Sequence, residues 1–377
     1  LTRANDIRHW SDCARLFQLA DRDAEITALF EATLASPNDA LRARHFNAAA
    51  GSQAALDAKT KPRGALGRLE ALALQIALIQ GRALPQLRAP QLVVFAADHG
   101  IAAQGVSAFP AAVTRQMVLN FLAGGAAVSV LARQHGIDVT VADCGVAAEF
   151  EPHPRLVCLK VAGAEHGSAD SSAGPAMSQA QCQAAIMQGR RLVSTLPGNA
   201  LLLGEMGIGN TTASAAIAAS LAGGETAAWV GRGTGVDDEG LARKRSAVQE
   251  SVRRIAGVTD PLEILREVGG SEIVAITAAT VAARRRSLPV VLDGYVVTAA
   301  VLPLHEIDAS SLDHCTVGHC SAEPGHRRLL ERLGKAPLLD LDMRLGEGSG
   351  AMAAVPLIAM ACAGITDVPT FAEWFGE

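Results

Sequence analysis

Two glutamates stand beside glycines in this chain of 377 residues: Glu205 in "ALLLGEMGIGNTT" (200–212) and Glu347 in "RLGEGSGA" (344–351). Glu205 closes a strongly apolar run, where partial burial would draw its carboxyl toward the neutral form and fit it for proton transfer near neutral pH. The glycines around Glu347 let a ligand approach closely, because no neighbouring side chain stands in the way. Each acid also has a plain structural reading: Glu205 as an acceptor for loop amides, Glu347 as an exposed turn acid.

The same run carries a second kind of chemistry. Gly207 and Gly209 permit a tight turn, and Asn210, Thr211 and Thr212 follow where a helix would begin. Helix-start amides attract anions. "GRGTGVDDEGLARKR" (231–245) repeats the design around Gly233, and Lys244 adds a positive charge a few helical turns on. Either turn alone is equally a capped strand-to-helix connection, whereas the pair points to phosphate. Thr212 replaces the third glycine of a dinucleotide fingerprint, neither turn opens a first βαβ unit, and no GxxxxGK[ST] occurs. A mononucleotide phosphate fits better.

"HCTVGHC" (314–320), followed by His326, and "ADHG" (97–100) raise the question of a metal. Their spacing is not that of paired CxxC or HExxH ligands, and strand alternation sends His314 and Cys315 to opposite faces. The expectation is a buried strand at 314–320, a sheet-end hydrogen-bond pair at 97–100, and no metal.

These residues need a frame to hold them. Apolar runs ending in glycine or a polar residue recur at 91–100, 137–146, 200–209, 288–295 and 315–320, separated by helix-like stretches such as Val113 to Gln134 and Gly240 to Ile255. The pattern predicts an α/β fold, a mostly parallel sheet with helices on both faces, Rossmann-like in arrangement. Ligands of such sheets sit at the carboxyl ends of the strands. Asp98, His99, Asp143, Glu205, Asp293 and His319 gather there. The amphipathic segment "GALGRLEALALQIALIQG" (64–81) and the alanine-rich C-terminus suggest three parts. They are an N-terminal helical segment (1–88), an α/β catalytic domain (89–350) and a C-terminal helical segment (351–377), the two ends packing as a smaller helical subdomain.

Composition narrows the function classes. A hydrophobic content of 49% supports a substantial core, and a formal net charge of -5 supplies no basic field for nucleic acid. Seven cysteines without a CxxC pair form no disulfide framework, and the first residues lack a signal-peptide core, so a cytoplasmic enzyme is expected. The apolar stretch from Ala353 to Ile365 contains Pro356 and is too short to span a bilayer, so no membrane partner is expected.

Taken in order, "KPRGALGRLE", "VVFAADHGIAAQGVSAFP", "FLAGGAAVSVLARQ", "GEMGIGNTT", "GRGTGVDDEGLARKR", "DPLEILREVGG", "LDGYVVTAA", "SAEPGH" and "LRLGEGSGA" give a long, specific signature. From Lys61 to Ala351 the chain resembles the nicotinate-nucleotide:dimethylbenzimidazole phosphoribosyltransferase family. The resemblance implies transfer of a phosphoribosyl group from nicotinate mononucleotide to 5,6-dimethylbenzimidazole, giving α-ribazole 5'-phosphate and nicotinate, without metal or cofactor. It also implies a homodimer whose active sites draw residues from both subunits. By resemblance Glu347 is the general base and Glu205 the second acid, while Phe109, Met117 and Met206 line the pocket for the flat base. Gly207, Asn210, Thr211, Gly233 and Lys244 match the phosphate and ribose site, and Ser321 and Arg344 the nicotinate contacts. Ser168, in "GSADSSAGPAMS" (167–178), departs from a glycine-threonine pair but keeps a hydroxyl, and Cys144 replaces a plain apolar residue.

Other classes fit less well. A nicotinamide-dinucleotide oxidoreductase is supported only by the sheet and the glycine turns. A pyrophosphate-donor phosphoribosyltransferase would place its adjacent acids before the glycine loop, whereas Asp237 and Asp238 follow one. A non-catalytic nucleotide-binding module would keep the turns and have no use for Glu347.

Overall fold

Strand β1 (Gln91–Ala97) is buried along its whole length, and its alternate residues enter two different cores. Leu92, Val94 and Ala96 pack into one layer, and Val93, Phe95 and Ala97 into the other. A strand covered on both faces has no solvent side, which is why its sequence is apolar without a break. The computed structural model describes residues 39–376, with side chains from 47 onward.

Around β1 lie β2 (Val139–Gly145), β3 (Leu156–Cys158), β4 (Leu201–Met206), β5 (Val290–Leu292) and β6 (Cys315–Val317). Their order is β3-β2-β1-β4-β5-β6, and every pairing is parallel. The winding reverses between β1 and β4, so the loops leaving these two strands diverge and open a crevice at their carboxyl ends. A two-stranded sheet, β7 (His319–Cys320) with β8 (Leu339–Asp340), stands beside it.

One helical layer includes Gln179–Thr195, Asn210–Ala222, Ser271–Arg285 and Tyr295–Ile307, packed against Val93, Phe95, Leu201 and Leu203. The opposite layer includes Arg68–Gln80, Ala112–Ala123, Ala127–Gln134 and Ser349–Thr366, packed against Leu92, Val94 and Leu202. Helix Asp39–Asp57 lies against Arg68–Gln80 and Ser349–Thr366, and a bridge between Lys59 and Thr370 joins the early and late parts of the chain.

Several boundaries differ from expectation. The helical stretch from Val113 to Gln134 is two helices, because Gly124 takes φ 77° and closes the first. Helix Asp238–Arg254 begins before Gly240, since the Asp237 carboxylate accepts the Gly240 N–H and caps the start. The run 315–320 is split at Gly318 into β6 and β7, which belong to different sheets. Residues 58–67 form turns, and the helical expectation for 1–38 lies outside the described residues. The C-terminal apolar stretch extends to an 18-residue helix, Ser349–Thr366, long and apolar enough to cross a membrane by composition, with 61% of it buried inside the protein.

Candidate active site

Leu201 and Leu203 of β4 enter the first core, and the next residue on that side is Glu205, at the carboxyl end of the strand. Glu205 is 8% exposed, and the Asn210 side-chain amide donates to its Oε2 from the first turn of helix Asn210–Ala222. Burial, reinforced by the negative charge of Asp293, pushes the Glu205 carboxyl up to about 8 against the opposing Asn210 hydrogen bond, with smaller upward contributions from Glu272 and Glu347.

Glu347 is brought against it by an unusual turn. Gly346, Glu347 and Gly348 have φ 82°, 64° and 84°, three successive left-handed residues. Glycine adopts this region freely, but for Glu347 it costs about 1 kcal/mol. The turn lies directly on β4 because position 204 is glycine: a Cβ there would stand 2.6 Å from the Glu347 carbonyl carbon. The Glu347 N–H donates to the Glu205 carbonyl at 3.2 Å. Burial, with Asp293 second, pushes the Glu347 carboxyl up to about 7, and its Oε2 has no hydrogen-bond partner. Neighbouring buried carboxyls titrate as a set, so the cluster holds a proton near neutral pH and can receive another.

The other end of the site is built for an anion. Lys244, on helix Asp238–Arg254, is almost fully buried and donates from Nζ to Thr211 Oγ1 at 2.9 Å. Burial pulls its ammonium below the ordinary lysine value, and the Glu323 carboxylate opposes that shift. Gly233 is clamped from both sides: its N–H donates to Glu323 Oε1 at 2.7 Å, and its carbonyl accepts from Arg344 Nη1 at 3.1 Å. The first turn is likewise internally tied. The Ile208 N–H donates to Thr114 Oγ1, and the Asn210 and Thr212 amides to the Gly207 and Gly209 carbonyls. Turn amides expected to face a phosphate thus hold the turns together, and attraction for an anion falls to Lys244, Thr211 and the N-terminus of helix Asn210–Ala222.

A cleft of about 750 Å³, partly open to solvent, joins these groups. Of the residues singled out from the sequence, Glu205, Met206, Gly207, Gly209, Asn210, Thr211, Gly233, Lys244, His319, Ser321 and Arg344 line it. Glu347 does not, although its neighbours Gly346 and Glu205 do. Met117 and Met206 pack against the second core, whereas Phe109 is half exposed in the loop before helix Ala112–Ala123.

The strand-end polar residues divide into groups. Glu205, Asp293 and His319 meet at the site, with His319 Nε2 3.9 Å from Asp293 Oδ1. Asp143 accepts the Gly145 and Val146 amides and Asp98 that of Ala147, fixing the loop after β2. His99 lies under the first glycine turn and pairs with Glu272 at 2.6 Å, both buried, with Ser168 Oγ 3.4 Å from its Nδ1. Sequence reasoning missed Glu323 and Glu272. "SAEPGH" held a signal for the first, while Glu272 sits in an apolar helix start with none.

The histidine-cysteine run has other duties. His314 Nε2 donates to the Thr280 carbonyl at 2.9 Å, and burial pushes its imidazole down to about 3. His326 Nδ1 accepts the Ser321 N–H at 2.7 Å, which leaves Nε2 to donate to Thr298 Oγ1 at 2.9 Å. Among the described residues no group of three or more His, Cys, Asp or Glu side chains could hold a metal ion, and Cys144, Cys158, Cys182, Cys315, Cys320 and Cys362 are free thiols.

A parallel sheet whose switch-point crevice joins a cationic phosphate corner to paired acids is suited to moving a phosphorylated sugar, and a family described as phosphoribosyltransferase matches residues 43–374. The fold and site define a phosphoribosyltransferase. The chain is 52% identical to the nicotinate-nucleotide-dimethylbenzimidazole phosphoribosyltransferase of Variovorax paradoxus, over 86% of this chain and 92% of the relative. The enzyme of that name from Thermus thermophilus is 48% identical over 84% of this chain and 95% of its own length. A crystal structure of CobT from Thermus thermophilus superposes with a TM-score of 0.82 at 45% identity, covering 87% of this chain and 98% of that one. The chain belongs to the nicotinate-nucleotide-dimethylbenzimidazole phosphoribosyltransferase family.

Proposed function

We propose that the enzyme transfers the phosphoribosyl group of nicotinate mononucleotide to 5,6-dimethylbenzimidazole, releasing nicotinate and forming α-ribazole 5'-phosphate, with Glu347 as general base. One observation supports this most directly. Two buried carboxyls, raised to about 7 and about 8, stand at the end of the strand that also begins the phosphate turn. A base near neutral pH is the most effective proton acceptor at that pH.

The chemistry asks little else. The bond from the ribose anomeric carbon to the pyridinium nitrogen breaks with its electron pair going to nitrogen, so nicotinate leaves without a proton. A benzimidazole nitrogen bonds to that carbon, and the proton on its other nitrogen passes to Glu347. Glu205, held by Asn210, keeps the second carboxyl beside the base. Lys244 and Thr211 hold the phosphate, and Gly207, Asn210 and Gly233 shape the turns around it. Ser321 and Arg344, at the cleft wall, contact the nicotinate; a guanidinium matches its carboxylate. Met206, Met117 and Phe109 receive the flat base.

The direct test incubates the enzyme with nicotinate mononucleotide and dimethylbenzimidazole, without added metal, and separates the products by chromatography. α-Ribazole 5'-phosphate is expected, and its absence throughout the neutral pH range overturns the assignment. We also propose a homodimer, supported by the exposed Phe109, Leu119, Val130 and Leu131, and checked by sedimentation. A cytoplasmic setting fits the free thiols. The bridge from Lys59 to Thr370 supports pairing the described part of 1–88 with 351–377, and their helices also form one covering layer of the sheet in 89–350.

A further inference from the structure

Asp293 follows β5 and has no solvent exposure. Its carboxylate accepts three backbone N–H groups: Gly348 at 3.1 Å on Oδ2, and Gly350 at 2.7 Å and Ala351 at 2.9 Å on Oδ1. Those amides belong to the left-handed turn carrying Glu347 and to the start of helix Ser349–Thr366, where N–H groups lack helical partners. Burial pushes the Asp293 carboxyl above its ordinary value, and His319 and these three amides oppose that shift. A helix start also favours a negative charge.

The turn has reason to need such an anchor. A non-glycine residue at φ 64° persists only where its surroundings over-determine it. From below, Gly204 only permits the close approach of the turn to β4, and the single backbone bond there is the 3.2 Å contact from Glu347 N–H to the Glu205 carbonyl. Asp293 supplies three bonds from the other side. The titratable groups facing it are His319 from β7, Glu205 from β4 and Glu347 from the turn itself.

We propose that Asp293 is a positioning residue for phosphoribosyl transfer, clamping the 346–351 backbone so that Glu347 stays in its left-handed turn beside Glu205. The proposal rests on Glu347 being the base. After burial, the negative charge of Asp293 is the second cause that raises the Glu347 carboxyl, so its removal should move the base toward the ordinary glutamate value.

Asp293→Asn tests both effects. Asparagine keeps one acceptor oxygen, loses the other and loses the charge. The expected result is a KM for nicotinate mononucleotide within about twofold of the wild type, a kcat about 10- to 100-fold lower, and an acidic limb of the kcat profile displaced to lower pH. An unmoved limb, or an unchanged kcat, overturns the proposal. Glu347→Gln measured in parallel separates the two claims: normal turnover there removes the base, whereas an inactive Glu347→Gln beside a fully active Asp293→Asn removes only the clamp. In the double variant no further loss is expected beyond Glu347→Gln, and multiplied losses count against a shared role. If Asp293→Asn does not fold, amide hydrogen exchange on the wild-type protein decides. The Gly348, Gly350 and Ala351 amides are expected among the slowly exchanging set, and exchange at exposed-loop rates overturns the clamp.

Discussion

The corner around Lys244 and the acidic corner around Glu205 meet at the end of β4, yet they are finished differently. Around Gly233, Thr211 and Lys244 polar groups are tied within the protein, Lys244 to Thr211, Gly233 between Glu323 and Arg344 and Ile208 to Thr114, while Glu323 Oε2 has no hydrogen-bond partner. Around Glu205 and Glu347 like charges are crowded together, one carboxylate oxygen has no partner, and the backbone is left-handed at three successive residues. A region that only binds can be relaxed when empty. A region that must accept a proton needs a carboxyl poised between its two states, and burial beside other acids is how that is achieved. What sets the acidic corner apart is its like-charge crowding and its left-handed non-glycine residue, not an unmet hydrogen bond, since Glu323 Oε2 lacks a partner too.

Substitutions can separate the corners. The largest effect is expected from Glu347→Gln, which should still bind nicotinate mononucleotide by calorimetry while kcat falls about 10²- to 10⁴-fold; near-normal turnover would place the base elsewhere. Lys244→Met should act on binding instead, raising KM for the mononucleotide about 10- to 100-fold with little change in kcat at saturation. If kcat collapses as it does for Glu347→Gln, the two corners are not separate in function. Gly231→Ala probes the rigidity of the phosphate corner: an added Cβ would lie 2.1 Å from Glu323 Oε2, and the overlap should cost about 1–3 kcal/mol in urea unfolding. Unchanged stability would mean that the Glu323 clamp is loose.

The smallest effect concerns pH and the two raised glutamates of the acidic corner. Glu205 and Glu347 have folded values raised above the ordinary 4.5, to about 8 and about 7, so the folded state binds more protons than the unfolded chain across that window. Their contribution to stability is fully present below about pH 4.5 and is lost as pH rises through 7 and then 8. The melting temperature of the unliganded enzyme should fall by a few degrees over that span, and Glu205→Gln should flatten the fall. An equal slope in the variant would show that the acids are not the cause.

Much of this was legible in the chain. Apolar runs such as 91–97 announced strands buried on both faces, and the glycine turns after β4 and at 231–235 stood out before they were seen to line one cleft, because glycine spacing and apolar patterning are local properties. Glu347 between two glycines was visible for the same reason, since glycines take up the left-handed positions on either side of it without cost. Less was legible where a residue acts through distant neighbours. Asp293 could be placed at a strand end, but its grip on the start of the last helix is made across more than fifty residues, and Glu323 reaches Gly233 across ninety. The break at Gly124 and the split of 315–320 into two sheets also escaped the pattern, because a single glycine signals a possible stop without saying whether the chain uses it.

The sequence by itself determined the parallel α/β architecture, the two glycine turns and the family, since each rests on residue types at short spacing. Only the tertiary structure decided which turn amides are already engaged, that two glutamates 142 positions apart share one buried corner, and how far their carboxyls are raised. Those properties come from desolvation and from charges brought close by the sheet, and neither exists until the chain has folded.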